Sequence, residues 1–247
     1  MLRSIKSLRK LKIHADDGDI GKVTDFYFDD VNWKVRYIVV DTGKWLFERK
    51  VLISPASFLD ADWSRQILTV SLTKEQIENS PHIDKDKPVS RQKEVDLAAY
   101  YSWPTYWPIG ETGVPLNEAA IARTLQAQKD HTSEADEHLR STDEVIGYTI
   151  QATDGELGAV DDFIVDEDDW IIRYFIIDTR KLLPGEKIML SPMWIEQFNW
   201  STRTCHVDLD IKTIKNGPTF NPNEPVNREV EEHLYDYYGR PQYWSQS

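Results

Sequence analysis

The second half of the chain repeats the first. Displaced by 137 residues, Asp17-Gly18 falls on Asp154-Gly155, Trp33 on Trp170, Arg36-Tyr37 on Arg173-Tyr174 and Asp41-Thr42 on Asp178-Thr179. Ser54-Pro55 falls on Ser191-Pro192, Trp63 on Trp200, Tyr100-Tyr101 on Tyr237-Tyr238 and Tyr106-Trp107 on Tyr243-Trp244, without a gap. About a third of the positions from Ile13 to Trp107 are identical to their partners. A period this long exceeds that of solenoid repeats, so the chain is a duplicated domain and not an array. Its 247 residues divide into two units of about 100 residues and connectors, each large enough for a modest core.

Charge and composition narrow the partners. Forty-two acidic against twenty-nine basic residues give a formal charge of -13. That field repels free nucleic acid and anionic membrane surfaces, whose binding rests on basic residues. A basic run at Arg3, Lys6, Arg9, Lys10 and Lys12 reads as a solvated first segment. No apolar run approaches the roughly 20 residues of a membrane span. Met1-Leu-Arg-Ser-Ile-Lys lacks the apolar core of a signal peptide. The lone Cys205 stands where the other copy has Leu68, so it reads as a small apolar filler and rules out an intrachain disulfide. The expectation is a soluble cytoplasmic protein with no membrane insertion.

Each copy reads as short strands and tight turns. Asp17-Gly18 and Asp154-Gly155 mark hairpins, because both residue types tolerate positive φ. Trp33–Asp41 and Trp170–Asp178 begin with alternation and end in a run apolar on both faces, as in a strand covered on two sides. Ser-Pro ends the strand at Lys50–Ile53 and its partner at Lys187–Leu190. Thr73 and Asp210 are helix caps before Pro81 and Pro218. Five or six short strands in about 65 residues predict a small barrel or a strongly curved sheet. Helices follow at Gln92–Tyr101 and Glu229–Tyr238, then aromatic tails containing Trp103, Tyr106 and Trp107 or Tyr243 and Trp244.

The ordered pattern resembles the PRC-barrel family, named after the cytoplasmic barrel of the photosynthetic reaction-centre H subunit. It runs Asp-Gly-x-Ile/Leu-Gly, Val-x-Asp-Phe, Trp-x-x-Arg-Tyr, Asp-Thr and Lys-x-x-Ile/Leu-Ser-Pro, at Asp17–Pro55 and again at Asp154–Pro192. The Tyr-Tyr-x-x-Pro-x-Tyr-Trp tails are similar to those of bacterial tandem PRC-barrel proteins. The resemblance implies a mainly β fold: two small PRC-type β-barrels in tandem, each followed by short helical segments and joined by a linker. Repeat 1 with its helix and tail takes residues 1–107, the linker 108–137 with a connector helix over Leu116–Lys129, and repeat 2 residues 138–247. It also implies a docking module for an unknown protein partner, or a homo-oligomer. The 247 residues show no counterpart of the H subunit's transmembrane helix or of the companion domain of a ribosome-maturation factor with a related barrel, so the resemblance implies neither specific job.

Chemistry-bearing patterns are sparse. The acidic turns at Asp29-Asp30 and Asp166–Asp169 lack the glycine that bends a calcium loop. The six histidines show no i, i+4 pair, and thiolate ligands are missing. Ser54 and Ser191 precede proline and lack a nucleophile elbow. Arg36 and Asp41, five apart on a strand, face opposite sides, so each should bond a neighbouring strand or cap a turn. No catalytic, cofactor or metal residue is assigned. The candidate site is aromatic: Tyr100, Tyr101, Trp103, Tyr106, Trp107, Tyr237, Tyr238, Tyr243 and Trp244, residue types enriched in interface anchors. Two roles stay open for them, a lid packed inside the molecule and a contact surface for a partner. The expected function is non-catalytic docking or assembly. The alternative is a regulatory module binding a small ligand or a divalent cation through the acidic turns. Partner choice would fall to unmatched segments: the N-terminal run, the connector, and loops 45–49 and 182–186.

Overall fold

A computed structural model describes residues 1–46, 49–81, 89–107, 139–179 and 186–245. The predicted linker at 108–137, its connector helix, and most of the loop at 182–186 lie outside the described residues. The first copy contains β1 (Leu2–Ser4), α1 (Ile5–Leu8), β2 (Lys12–Ala15), β3 (Gly18–Asp29), β4 (Val35–Asp41), β5 (Lys50–Ile53), β6 (Phe58–Asp62), β7 (Ile67–Val70), α2 (Lys74–Glu78) and α3 (Arg91–Tyr101). The second contains β8 (Leu139–Ser141), α4 (Thr142–Val145), β9 (Thr149–Ala152), β10 (Gly155–Asp166), β11 (Ile172–Asp178), β12 (Lys187–Leu190), β13 (Ile195–Asn199), β14 (Thr204–Val207), α5 (Ile211–Lys215) and α6 (Arg228–Tyr238).

The fold is mainly β, as expected, with two sheets of the same topology. One runs β12-β11-β10-β9-β14-β13 with β1 beside β10; the other runs β5-β4-β3-β2-β7-β6 with β8 beside β3. Among the described residues each has seven strands where five or six are expected, and no pairing joins the two terminal strands of its path. The doubly apolar run lies on an interior strand in both, next to the terminal one: Tyr37–Val40 and Tyr174–Ile177 are buried without interruption. Thr73 forms a capping box with Gln76, and Asp210 accepts from the Thr213 N–H at 2.8 Å. The turn aspartates have a second use. Asp17 accepts from the Lys74 N–H at 2.8 Å and Asp154 from the Ile211 N–H at 2.9 Å, so each hairpin tip also holds the start of a helix.

The chain forms two compact units. Unit 1 is Met1–Lys10, Phe28–Arg36 and Arg140–Ser247; unit 2 is Leu11–Tyr27 and Tyr37–Leu139. Unit 1 therefore includes two pieces of the first copy. In it, β1 pairs antiparallel with β10, Leu2 opposite Asp166 and Ser4 opposite Ile164. Ile5 and Leu8 on α1 are fully buried. Arg3 pairs with Glu167, Lys6 Nζ lies 2.7 Å from Asp161, and Arg9 meets Asp143 and the Thr142 hydroxyl. This corrects the solvated first segment. Arg3, Lys6 and Arg9 alternate with buried apolar residues and find carboxylates contributed by the distant copy.

Trp33 also departs from expectation. It stands in the turn before β4, at φ 58°, and Trp170 stands before β11 at φ 61°. In unit 1 the Val35 N–H donates to the Trp170 carbonyl at 2.8 Å and the Ile172 N–H to the Trp33 carbonyl at 2.7 Å, two bonds related by the repeat. The Trp33 ring meets Phe28, Phe175 and Phe198 with centroids 4.9 to 5.3 Å apart. These contacts hold a bulky residue in the left-handed region it rarely occupies.

Ser4 caps α1 and donates its hydroxyl to Asp162, while the Lys6 N–H donates to the same carboxylate at 3.1 Å. Ser4→Ala removes a cap and a donor to a buried carboxylate. The expected loss is about 1–2 kcal/mol, read by thermal or urea unfolding.

Candidate functional site

Each copy ends in a helix followed by an aromatic tail, and the structure assembles a buried polar cluster beneath it. In unit 1, α6 begins after Asn227, whose side chain accepts the Val230 N–H. One turn in, Glu231 is 2 % exposed. Its Oε1 accepts from the Tyr174 hydroxyl at 2.7 Å and the Tyr243 hydroxyl at 2.8 Å, and Arg228 lies 3.0 Å from Oε2. Helical i, i+3 spacing places Arg228 beside Glu231. The Arg228 guanidinium sits 4.1 Å from the Trp244 ring centre, and that of Arg173 sits 4.3 Å from the Tyr243 ring. Such stacking holds the consecutive rings of Tyr243 and Trp244 by attraction between cations and ring faces.

Unit 2 repeats the arrangement. Glu94 on α3 is fully buried and accepts from the Tyr106 hydroxyl at 2.5 Å and from Tyr37. Arg91 donates to Glu94 at 2.9 Å and lies 4.5 Å from the Trp107 ring. Arg91, Glu94, Tyr37, Tyr106 and Trp107 thus correspond, position for position, to Arg228, Glu231, Tyr174, Tyr243 and Trp244. A buried carboxylate is tolerable only when ion-paired and hydrogen-bonded, and here both conditions are met twice.

The nine predicted aromatics divide between the units. Tyr243 and Trp244 pack on Tyr235 of α6 in unit 1, with centroids 6.1 and 5.0 Å away. Tyr100 and Tyr237 are the most exposed, and their hydroxyls donate to the Gln76 and Thr213 carbonyls, tying each long helix to the short one before it. Trp103 stacks on Tyr101 at 4.3 Å and donates to the Ser57 hydroxyl at 2.6 Å. Its equivalent is Arg240, and in unit 1 the indole comes instead from Trp194, the equivalent of Ser57, which packs on Tyr235 and Tyr238. The two copies fill one space from opposite partners.

Glu94, Glu231, Arg91 and Arg228 were missed because a lone Arg-x-x-Glu at a helix start resembles a solvated face. Their retention at the 137-residue displacement was the available signal. Other retained polar residues serve the fold. Asp41 caps the Gly43 N–H at 2.9 Å, Arg36 pairs with Asp29 at 2.7 Å, and Arg173 bonds Asp166 and Asp169. Cys205 is buried on β14, and burial pushes its thiol up to about 12, far from thiolate chemistry at neutral pH. Among the described residues no three metal-ligating side chains gather in one place.

Burial, then the adjacent Glu94 or Glu231, raises Tyr37, Tyr106 and Tyr243 well above the ordinary tyrosine value of 10.0, and burial, then Tyr235 and Glu231, raises Tyr174. A group whose folded value is raised stabilises fully below its unfolded value, and that contribution is lost as pH climbs above it. The contribution of these hydroxyls should therefore be constant up to pH 10 and fall beyond it, by up to about 1.4 kcal/mol per pH unit for each of the buried ones. Tyrosinate absorbance followed with circular dichroism is expected to show these four ionising only together with unfolding.

Residues 3–77 match the PRC-barrel domain family model. No curated protein matches the chain.

Proposed function

We propose that this chain is a non-catalytic docking and assembly module built from two PRC-type barrels, the second at residues 138–247. The shared strand order of the two sheets and the gapless repeat support the second barrel. The observation that carries the function is the cluster around Glu94 and Glu231. It is the most elaborate polar constellation retained in both copies, and its carboxylate is used to hold a peptide segment of Tyr and Trp. Such a site grips a chain and leaves it unchanged.

Outside this cluster, the exposed apolar side chains Leu59 and Met193 differ between copies and are natural contact points for a partner. No described helix is long and apolar enough to cross a membrane. A cytoplasmic setting, supported by the single buried thiol, belongs to the same proposal.

A photocrosslinking amino acid at Leu59 or Met193, introduced in the native cell, should give discrete adducts that are missing when it replaces exposed Glu75. Uniform background at all three positions would overturn docking at these points. The competing ligand reading is checked by thermal shift with calcium and magnesium. A saturable rise in Tm would favour it, because a ligand specific to the folded state must stabilise that state.

A further inference from the structure

The tail clusters have the composition of a recognition site that is filled by its own chain. In unit 1 the cleft is built by Arg228, Glu231 and Tyr235 on α6 with Arg173 and Tyr174 on β11. Its occupant reads Pro241-Gln-Tyr-Trp244. Glu231 receives the occupant's tyrosine hydroxyl at 2.8 Å, Arg173 covers that ring, and Arg228 covers the following indole at 4.1 Å. The occupant of unit 2 reads Pro104-Thr-Tyr-Trp107, and Glu94 and Arg91 grip its Tyr and Trp in the same way. The residue between Pro and Tyr differs, and Tyr and Trp do not. Arg, Glu and Tyr on the receptor side (Arg228, Glu231, Tyr174; Arg91, Glu94, Tyr37) recur with the Tyr-Trp ligand, while Tyr235 is replaced by Ala98.

The tail is also separable from the body. Gly239, at φ 61°, ends α6, and Tyr243 follows only four residues later. Residues 239–247 carry one arginine and no acid, in a chain of net charge -13.

We propose that this cleft is a peptide site for Pro-x-Tyr-Trp segments and that its occupant in trans is the same tail of a second copy. Every copy supplies cleft and ligand in equal number. Exchange replaces each contact by an identical one, at a cost only in association entropy. The proposal rests on the docking and assembly reading and specifies one contact by which it would operate.

The test uses the full chain carrying Tyr243→Ala and Trp244→Ala, which empties the cleft and keeps Arg173, Tyr174, Arg228 and Glu231. The probe is a fluorescein-labelled peptide of residues 239–245, followed by anisotropy. The expected result is saturable binding, at least about tenfold tighter than to the intact chain, where the tethered tail competes at an effective concentration of order millimolar. A probe with Tyr243→Phe should bind several-fold more weakly. Absence of saturable binding to the folded double variant overturns the site. Should that variant not fold, the intact chain is given several millimolar unlabelled peptide and hydrogen exchange is read at residues 240–245. Faster exchange supports the site, and unchanged protection overturns it. Sedimentation of the double variant mixed with a chain carrying Arg173→Ala and Arg228→Ala, whose intact tail has lost the grip of its own cleft, should reveal a mixed dimer absent from either variant alone. Peptide binding without that dimer overturns the second copy as occupant and points to a Pro-x-Tyr-Trp segment on another protein. None of these failures alters the adducts expected at Leu59 and Met193, so the two readings fall separately.

Discussion

Glu231→Ala is expected to lower the stability of unit 1 by about 3–5 kcal/mol, the cost of breaking a buried ion pair from one side. The carboxylate is almost wholly buried and holds Tyr174, Tyr243 and Arg228 together. Removing it leaves two hydroxyls and a guanidinium without their acceptor and frees the tail ring it anchors. For a unit of this size the melting transition should fall by about 10 °C or more. Glu231→Gln keeps Oε1 for both tyrosines but turns an amide N–H toward Arg228, so an intermediate loss of about 1–3 kcal/mol is expected. Tyr174→Phe combined with Glu231→Ala, which removes the shared acceptor, tests the assignment. If hydroxyl and carboxylate act together, the two losses should fall short of additive. Equal melting of wild type and Glu231→Ala would refute a structural role for the cluster.

Gly158→Ala should be comparably damaging for a different reason. A Cβ at this position would lie 2.1 Å from the Asp178 carbonyl oxygen, far inside contact distance. The obstacle is backbone in a paired strand, so no rotamer change relieves it. The equivalent Gly21 would place its Cβ 2.0 Å from the Asp41 carbonyl oxygen. Both glycines sit beside register shifts in the long hairpin, where β10 passes β9 and β3 passes β2. Overpacking costs of 1–3 kcal/mol are usual, and the upper end, about 3 kcal/mol, is the floor expected here. Circular dichroism melts of Gly21→Ala and Gly158→Ala should show matching losses in unit 2 and unit 1. A loss in only one would show that the shared glycine does different work in the two copies.

The predicted elements that matched were those with local causes. The Asp-Gly hairpins, the Ser-Pro strand ends, the Thr73 and Asp210 caps and the buried runs at Tyr37–Val40 and Tyr174–Ile177 each follow from rules spanning a few residues. The alternation that begins at Trp33 places it in a strand; it stands instead in a left-handed turn, where three rings in unit 1 receive its side chain. The N-terminal segment looked solvated because its basic residues were counted without their partners. Of the candidate site, the tail aromatics were legible as a set. The Arg and Glu that grip them were not, since charge at a helix start is ordinary and only burial makes it exceptional.

By itself the sequence determined that one design occurs twice, that it is mainly β, and which turns and caps delimit its elements. Those properties depend on neighbours in the chain and on the period of the repeat. Tertiary structure alone decided that Ser4 meets Asp162, 158 residues away, and that Tyr174 meets Glu231, 57 residues away. A hydrogen bond forms between groups adjacent in space, and a desolvated carboxylate takes whichever donors the fold brings within reach.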